Sequence, residues 1–449
     1  MGVFKQKINM KRHTLIIILL LTGVFLCSFS VLYYGLTKMQ EARYAQEETE
    51  DNQKWTEEQG REEPQSAAHM TQTAPPEETE TPSAEETEKQ PVRVDAVRTQ
   101  RLSPQCIQVC WNSDFDANVE EYIVKRRPFS NGEPAGDWEA LTVVKSGAGE
   151  YIAEDHLPSA VPVQYEYRVD VKTADDHMYE PKEGKAVLAS NVMVCIDPGH
   201  FAGKNAAYSI DSFGYAEGDF TLEVALSLRD ILKETYGIDS YMTRESGSII
   251  LDGYRDQELD SGHISLRGMY AASRQSNLFV SIHTNANNDQ ANGYDTWEQP
   301  TAINKTLVFL NQTAMESAEA LKTANAIGVN LSRASYELGL STVGEFRTVT
   351  EPSQLRQWTD GYNDSLNEMG TVVYRLNDGQ DYYGVLRGAA SEGIPGMIIE
   401  HGLHTIPEVR KTAGEGLAQV WARADAYGIA YGFGFMKDLT MEEEYENEQ

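Results

Sequence analysis

The chain has 449 residues, which at about 150 per domain leaves room for roughly three folding units and at least one sizeable core. Its 38 Lys and Arg against 69 Asp and Glu give a formal charge of -31, which argues against partners held by phosphate neutralisation, nucleic acid first among them. Four cysteines, at positions 27, 106, 110 and 195, are too few and too scattered for a disulfide framework.

Lys5, Lys7, Lys11 and Arg12 make a basic tail of residues 1–13, and an uncharged run, 14–37, follows with LIIILLLTGVFLCSFSVLYYGL. About 23 residues at ~1.5 Å rise cover roughly 34 Å, sufficient for a hydrocarbon core of ~30 Å. The expectation is a single-pass transmembrane signal anchor with the basic tail cytoplasmic and the rest of the chain extracytoplasmic. Ser28 and Ser30 also offer a small-x-small pattern, so secretion after signal-peptide cleavage is the alternative. Residues 38–90, mostly Glu, Thr, Gln, Pro and Ser as in PPEETETPSAEETEKQ, hold too little apolar surface to fold and predict a disordered acidic linker.

Periodicity returns at Val92. Ile107, Val109 and Trp111 alternate with Gln108 and Cys110, and EEYIVKRR, DWEALTVV and QYEYRVDVKT follow between turn residues. Such spacing predicts an all-β sandwich over 91–190. The placement of Trp111, of Tyr122-x-Val124 and of Tyr165-x-Tyr167-x-Val169 resembles a fibronectin type III domain; nothing in this stretch looks catalytic, so the expectation is a spacer or wall-contact module. In a strand Cys106 and Cys110 share a face about 13 Å apart, too far for a mutual disulfide.

After Asn191 the period changes. VMVCIDPGH reads as a strand ending in a turn, FTLEVALSLRDILKETYG as an amphipathic helix stopped by Gly237, and IDSYMTR and NLFVSIHTNA as strands with SLRGMYAASRQS helical between them. Further helices are predicted over 317–338 and 415–431, PGMIIEHG as one more core strand, and 438–449 as an acidic tail. This alternation predicts a separate α/β domain, 191–437, with a central mostly parallel or mixed sheet flanked by helices and ligands at one edge of it.

At that edge fall His200, directly after the first strand, Glu217, just ahead of the following helix, and His283 in VSIHTN. Two imidazoles and one carboxylate are a borderline-soft donor set suited to catalytic Zn²⁺, which needs three protein ligands and an open position. Spacings of 17 and 66 positions exclude a single-helix HExxH site, so a sheet must assemble the metal. Structural alternatives stay open: a turn-capping His200, a satisfied core His283, and a Glu217 that complements the helix dipole.

The segments IDPGH, the Glu before DFTLEVAL, SLR, SIHTNA and IIEHGLHT, in this order over about residues 192–435, resemble the zinc-dependent N-acetylmuramoyl-L-alanine amidases of the amidase type 3 family. The resemblance implies His200, Glu217 and His283 as ligands of one zinc and Glu400 as the catalytic carboxylate. It also implies peptidoglycan as partner, cleavage of the amide between N-acetylmuramic acid and the L-alanine of the stem peptide, and a bacterial source. Departures from the family pattern are FAGKN after DPGH, Ser273 where Asn is common, and Leu403 where Phe usually follows EHG. They bear on substrate preference more than on the metal donors. Arg387 is a candidate for binding a peptide carboxylate, His404 for orienting substrate, and Arg267 for buttressing the fold. Between His283 and Glu400 the segment EPSQLRQWTDGYNDSLNEMG is expected at the cleft as a lid or wall. The rival readings are a catalytically inactive peptidoglycan-binding scaffold and a zinc peptidase acting within the stem peptide.

Overall fold

The computed structural model describes residues 94–113, 118–145, 147, 149–179, 186–206, 214–286, 304–340, 349–358 and 371–437. The expected basic tail, anchor, acidic linker and acidic tail lie outside these residues, as does most of the expected lid. Among the described residues no helix is long and apolar enough to cross a membrane. Glu88–Gln449 forms one compact unit; the other, Met1–Thr87, lies outside the described residues.

The first part of this unit is built from seven main strands: β1 (Val94–Ser103), β2 (Cys106–Ser113), β3 (Val119–Ser130), β4 (Glu139–Lys145), β5 (Gly149–His156), β6 (Gln164–Thr173) and β7 (Val187–Ser190). One antiparallel sheet has the order β1-β2-β5; in the other, β3 pairs with β4 and β6, and β6 with β7. Period-two patterning explains the core: Ile107, Val109 and Trp111 of β2 meet Tyr122, Val124, Tyr167 and Val169 of the facing sheet, all essentially fully buried. Trp111 stacks on Tyr151 with ring centroids 5.3 Å apart. Cys106 and Cys110 are both free thiols.

The α/β part contains β8 (Met193–Pro198), α1 (Glu217–Tyr236), β9 (Asp239–Met242), α2 (Ser265–Met269), β10 (Leu278–Asn285), β11 (Leu307–Leu310), α3 (Ala318–Glu337), β12 (Arg356–Gln357), β13 (Val372–Tyr374), α4 (Gly384–Ser391), β14 (Gly396–Leu403) and α5 (Ala418–Gly432). They form a seven-stranded mixed sheet, order β9-β8-β10-β14-β11-β13-β12, in which β11 runs antiparallel to β14 and every other pair is parallel. Strand parity assigns the two faces. Val194, Ile196, Val280, Ile282 and Ile399 pack with α1, α3 and α5, whereas Met193, Cys195, Phe279 and Ile398 pack with α4 on the other side. In α1 the buried Phe220, Val224, Leu228 and Leu232 recur every fourth residue, and Gly237, at φ 60, ends the helix.

Two features differ from expectation. The helix expected from residue 415 begins at Ala418, because Gly416 stands at φ 97 and Glu415 is also non-helical. The stretch between His283 and Glu400 contributes the sheet strands β11, β12 and β13, so much of it belongs to the fold itself.

Polar contacts join the two parts. Arg101 of β1, 4% exposed, donates from Nε to the Asn191 carbonyl (2.8 Å), from Nη1 to that of Arg274 (2.8 Å) and from Nη2 to that of Gln275 (2.9 Å). Its backbone N–H donates to the Asp239 carboxylate, and Lys233 Nζ bridges the Thr99 carbonyl and Asp239, each at 2.6 Å.

Candidate metal centre and active site

The site is built on the turn that ends β8. Asp197 is fully buried and accepts hydrogen bonds from Thr243 Oγ1 (2.5 Å), Arg267 Nε (2.9 Å) and Ser281 Oγ (2.7 Å). Arg267 also donates from Nη2 to the Pro198 carbonyl at 2.6 Å, which fixes the chain one residue on. Gly199 must be glycine, since a Cβ there would stand 2.5 Å from His283 Cε1. His200 then takes φ 59, a left-handed conformation uncommon for a side-chain-bearing residue.

That turn brings His200 against the first residue of α1 and the end of β10. His200 Nε2 lies 3.3 Å from Glu217 Oε2, and His283 Nδ1 lies 3.2 Å from Glu217 Oε1. The three donor atoms lie within 4.8 Å of one another. Ordinary Zn–N and Zn–O bond lengths at tetrahedral angles separate such donors by roughly 3.4 Å, so this set fits a zinc ion. His200 Nδ1 is 2.9 Å from Asp260 Oδ1, so a proton held there leaves Nε2 as the lone pair facing Glu217. Glu217 further accepts from Asn205 Nδ2 (2.6 Å) and the Thr284 backbone N–H (3.1 Å).

The electrostatics favour positive charge at the centre of this set. Burial disfavours the charged form of His200, but the carboxylates of Asp260 and Glu217 outweigh it and raise its pKa to about 9. Burial likewise pushes Glu217 upward, and hydrogen bonds to His200 and His283 more than reverse this, holding it well below the usual carboxylate range. His283 moves down, chiefly through burial and against the pull of Glu217. With a proton as the available cation, His200 takes it.

Glu400 reaches the same place from β14, where it is the cross-strand partner of His283. It is 9% exposed, and its Oε2 has no hydrogen-bond partner among the described residues. Burial, and after it the charge of Glu217, push its carboxyl up to about 8, with His200 opposing. A carboxyl that exchanges its proton near neutrality suits general acid–base work. A cavity of about 400 Å³ is lined by His200, Glu217, His283, Glu400 and His404 together with Tyr383.

His404 is buried in the cavity wall, with Nδ1 2.9 Å from Thr284 Oγ1 and its ring stacked on Tyr215 at 5.6 Å. Arg267 lines the cavity as well as buttressing the turn. Arg387 lies apart from this group: it is exposed, does not line this cavity, and its Nη1 donates to the carbonyls of Asp381 (2.8 Å) and Tyr382 (2.6 Å). Its guanidinium ties down the turn entering α4. Asp260 and Asn205 escaped the sequence reading. The only signals for them were an acid shortly before the SLR segment and the asparagine closing FAGKN.

Residues 194–355 match the family model described as N-acetylmuramoyl-L-alanine amidase, a span that includes His200, Glu217 and His283 and stops short of Glu400. No curated protein matches the sequence. Among solved structures, the catalytic domain of CwlV, an N-acetylmuramoyl-L-alanine amidase from Bacillus (Paenibacillus) polymyxa var. colistinus, is 18% identical, with 54% of this chain and 97% of that chain covered at a TM-score of 0.34. The N-acetylmuramoyl-L-alanine amidase from Clostridium difficile 630 is 19% identical, with 54% and 95% covered, at a TM-score of 0.34. The sixth fibronectin type III domain of human fibronectin type III domain containing protein 3 is 15% identical, with 23% of this chain and 88% of that chain covered, at a TM-score of 0.17.

Proposed function

Because the chain carries an N-acetylmuramoyl-L-alanine amidase domain, we propose that it is a zinc-dependent cell-wall hydrolase that cuts the amide between N-acetylmuramic acid and the L-alanine of the peptidoglycan stem peptide. The observation that carries this reading is the meeting of His200, Glu217 and His283 with the buried Glu400 around one cavity. A zinc ion held by the first three residues supplies Lewis acidity toward the carbonyl and brings the pKa of a water to about 7. Glu400, when ionised, accepts a proton from the attacking water; once protonated, it returns one to the departing amine nitrogen. Asp260 holds His200 in register through Nδ1, while Asn205 and the Thr284 N–H fix the Glu217 carboxylate. His404 and Tyr383 wall the substrate cavity.

In this proposal the β-sandwich is a fibronectin type III-like spacer, and residues 14–37 tether the protein to a cell membrane with the catalytic domain extracytoplasmic. Digestion of purified peptidoglycan tests the chemistry, read by mass spectrometry. Release of intact stem peptides from sugar is expected. Shortened peptides indicate a peptidase, and no product from the zinc-loaded protein indicates a scaffold. Glu400→Ala is expected to keep its metal and lose most turnover; parental turnover in that variant removes Glu400 from the mechanism.

A further inference from the structure

The outer face of the first sandwich sheet carries a second cluster of metal-donor side chains. Cys106 of β2 and His156 of β5 are direct cross-strand partners, and Glu154 precedes His156 by two residues, so the pleat turns all three to one face. Asp155, between them, points the opposite way, where it pairs with Arg126 (2.6 Å) and accepts from the Tyr167 hydroxyl (2.7 Å). One thiol, one carboxylate and one imidazole thus offer donor atoms that lie within 4.8 Å of one another.

Their separations suit a single ion. Glu154 Oε2 lies 3.5 Å from His156 Nε2 and 4.0 Å from Cys106 Sγ. Zinc bond lengths at tetrahedral angles separate an O,N pair by roughly 3.4 Å and an O,S pair by roughly 3.6 Å. The side chains of His156 and Glu154 are 74% and 45% exposed, so a few tenths of an ångström is within reach of their rotamers. The backbone beneath is a paired antiparallel ladder, which holds the three attachment points without a loop having to order.

We propose that Cys106, Glu154 and His156 form a second metal site, on the β-sandwich, for a thiophilic divalent cation of the zinc class, with a fourth position open to water or to a ligand from a partner. Thiolate and imidazole favour zinc over calcium or magnesium. Binding releases the thiol proton as the sulfur–metal bond forms, so charge and atoms balance. Burial foremost, with Glu154 and Asp155 adding to it, raises the Cys106 pKa, so the thiol keeps its proton until a cation displaces it.

The test uses the full chain, stripped of metal and reloaded with Co²⁺, read by bound metal per chain and by absorption. Two equivalents are expected, with a thiolate-to-cobalt charge-transfer band in the near ultraviolet. Cys106→Ser and His156→Ala should each remove one equivalent and the band while peptidoglycan turnover of the zinc-loaded protein stays parental. Cys110→Ser and His200→Ala should both keep the band, because neither side chain belongs to this site. A parent without the band, or a band that survives Cys106→Ser or disappears with Cys110→Ser, overturns the proposal.

Discussion

The buried carboxyl of Glu400 makes a prediction about stability as well as turnover. In the metal-free protein its pKa is pushed up to about 8 from 4.5, chiefly by burial. Between these values the folded state holds a proton that the unfolded state has released, so stability falls as pH climbs through the window and levels off above it. At 1.36 kcal/mol per unit the full penalty is roughly 4 to 5 kcal/mol, an order-of-magnitude figure. Glu400→Gln abolishes this titration. Its buried amide adds a cost of about 1–3 kcal/mol that does not vary with pH. Urea unfolding of parent and variant in the presence of chelator, near pH 5 and about pH 8.5, isolates the titrating part. The stability of the variant relative to the parent should improve by roughly 4 kcal/mol between those conditions. A change below about 1 kcal/mol would refute the argument that the fold strains to keep this carboxylate charged.

Asp260→Asn removes the charged acceptor of His200 Nδ1 and is expected to weaken metal affinity about 10- to 100-fold in chelator competition; parental affinity would show that Asp260 does not orient the ring. Asp197→Ala leaves the Arg267 guanidinium, 1% exposed, without its 2.9 Å partner. A loss of roughly 3–5 kcal/mol is expected in urea unfolding, and a loss under about 1 kcal/mol would argue against Asp197 as the anchor of the turn.

Legibility followed the range of the physics. His200, Glu217 and His283 could be read because each sits where local patterning marks an element's end: an apolar strand running into Asp-Pro-Gly, an acid opening an amphipathic helix, a polar residue closing a strand. Asp260 and Asn205 come from irregular segments whose path is set by tertiary packing, so nothing local announces that they converge on His200 and Glu217. β11 is a four-residue apolar run, LVFL, too short for its period to be read, and its antiparallel pairing with β14 is a purely tertiary fact. Arg387 reads as an anion-binding residue because an arginine near a cleft suggests that role; in the fold its Nη1 is engaged by carbonyls five and six residues back in its own chain, a local contact that side-chain chemistry alone does not announce. Gly416 shows the converse: a single left-handed residue breaks a helical pattern that side-chain spacing would continue.

The clasp that Arg101 and Lys233 make links the sandwich to the residues around the edge strand β9 through several buried or half-buried hydrogen bonds. On the proposed function, a sandwich held in one place would present the cleft from a set side.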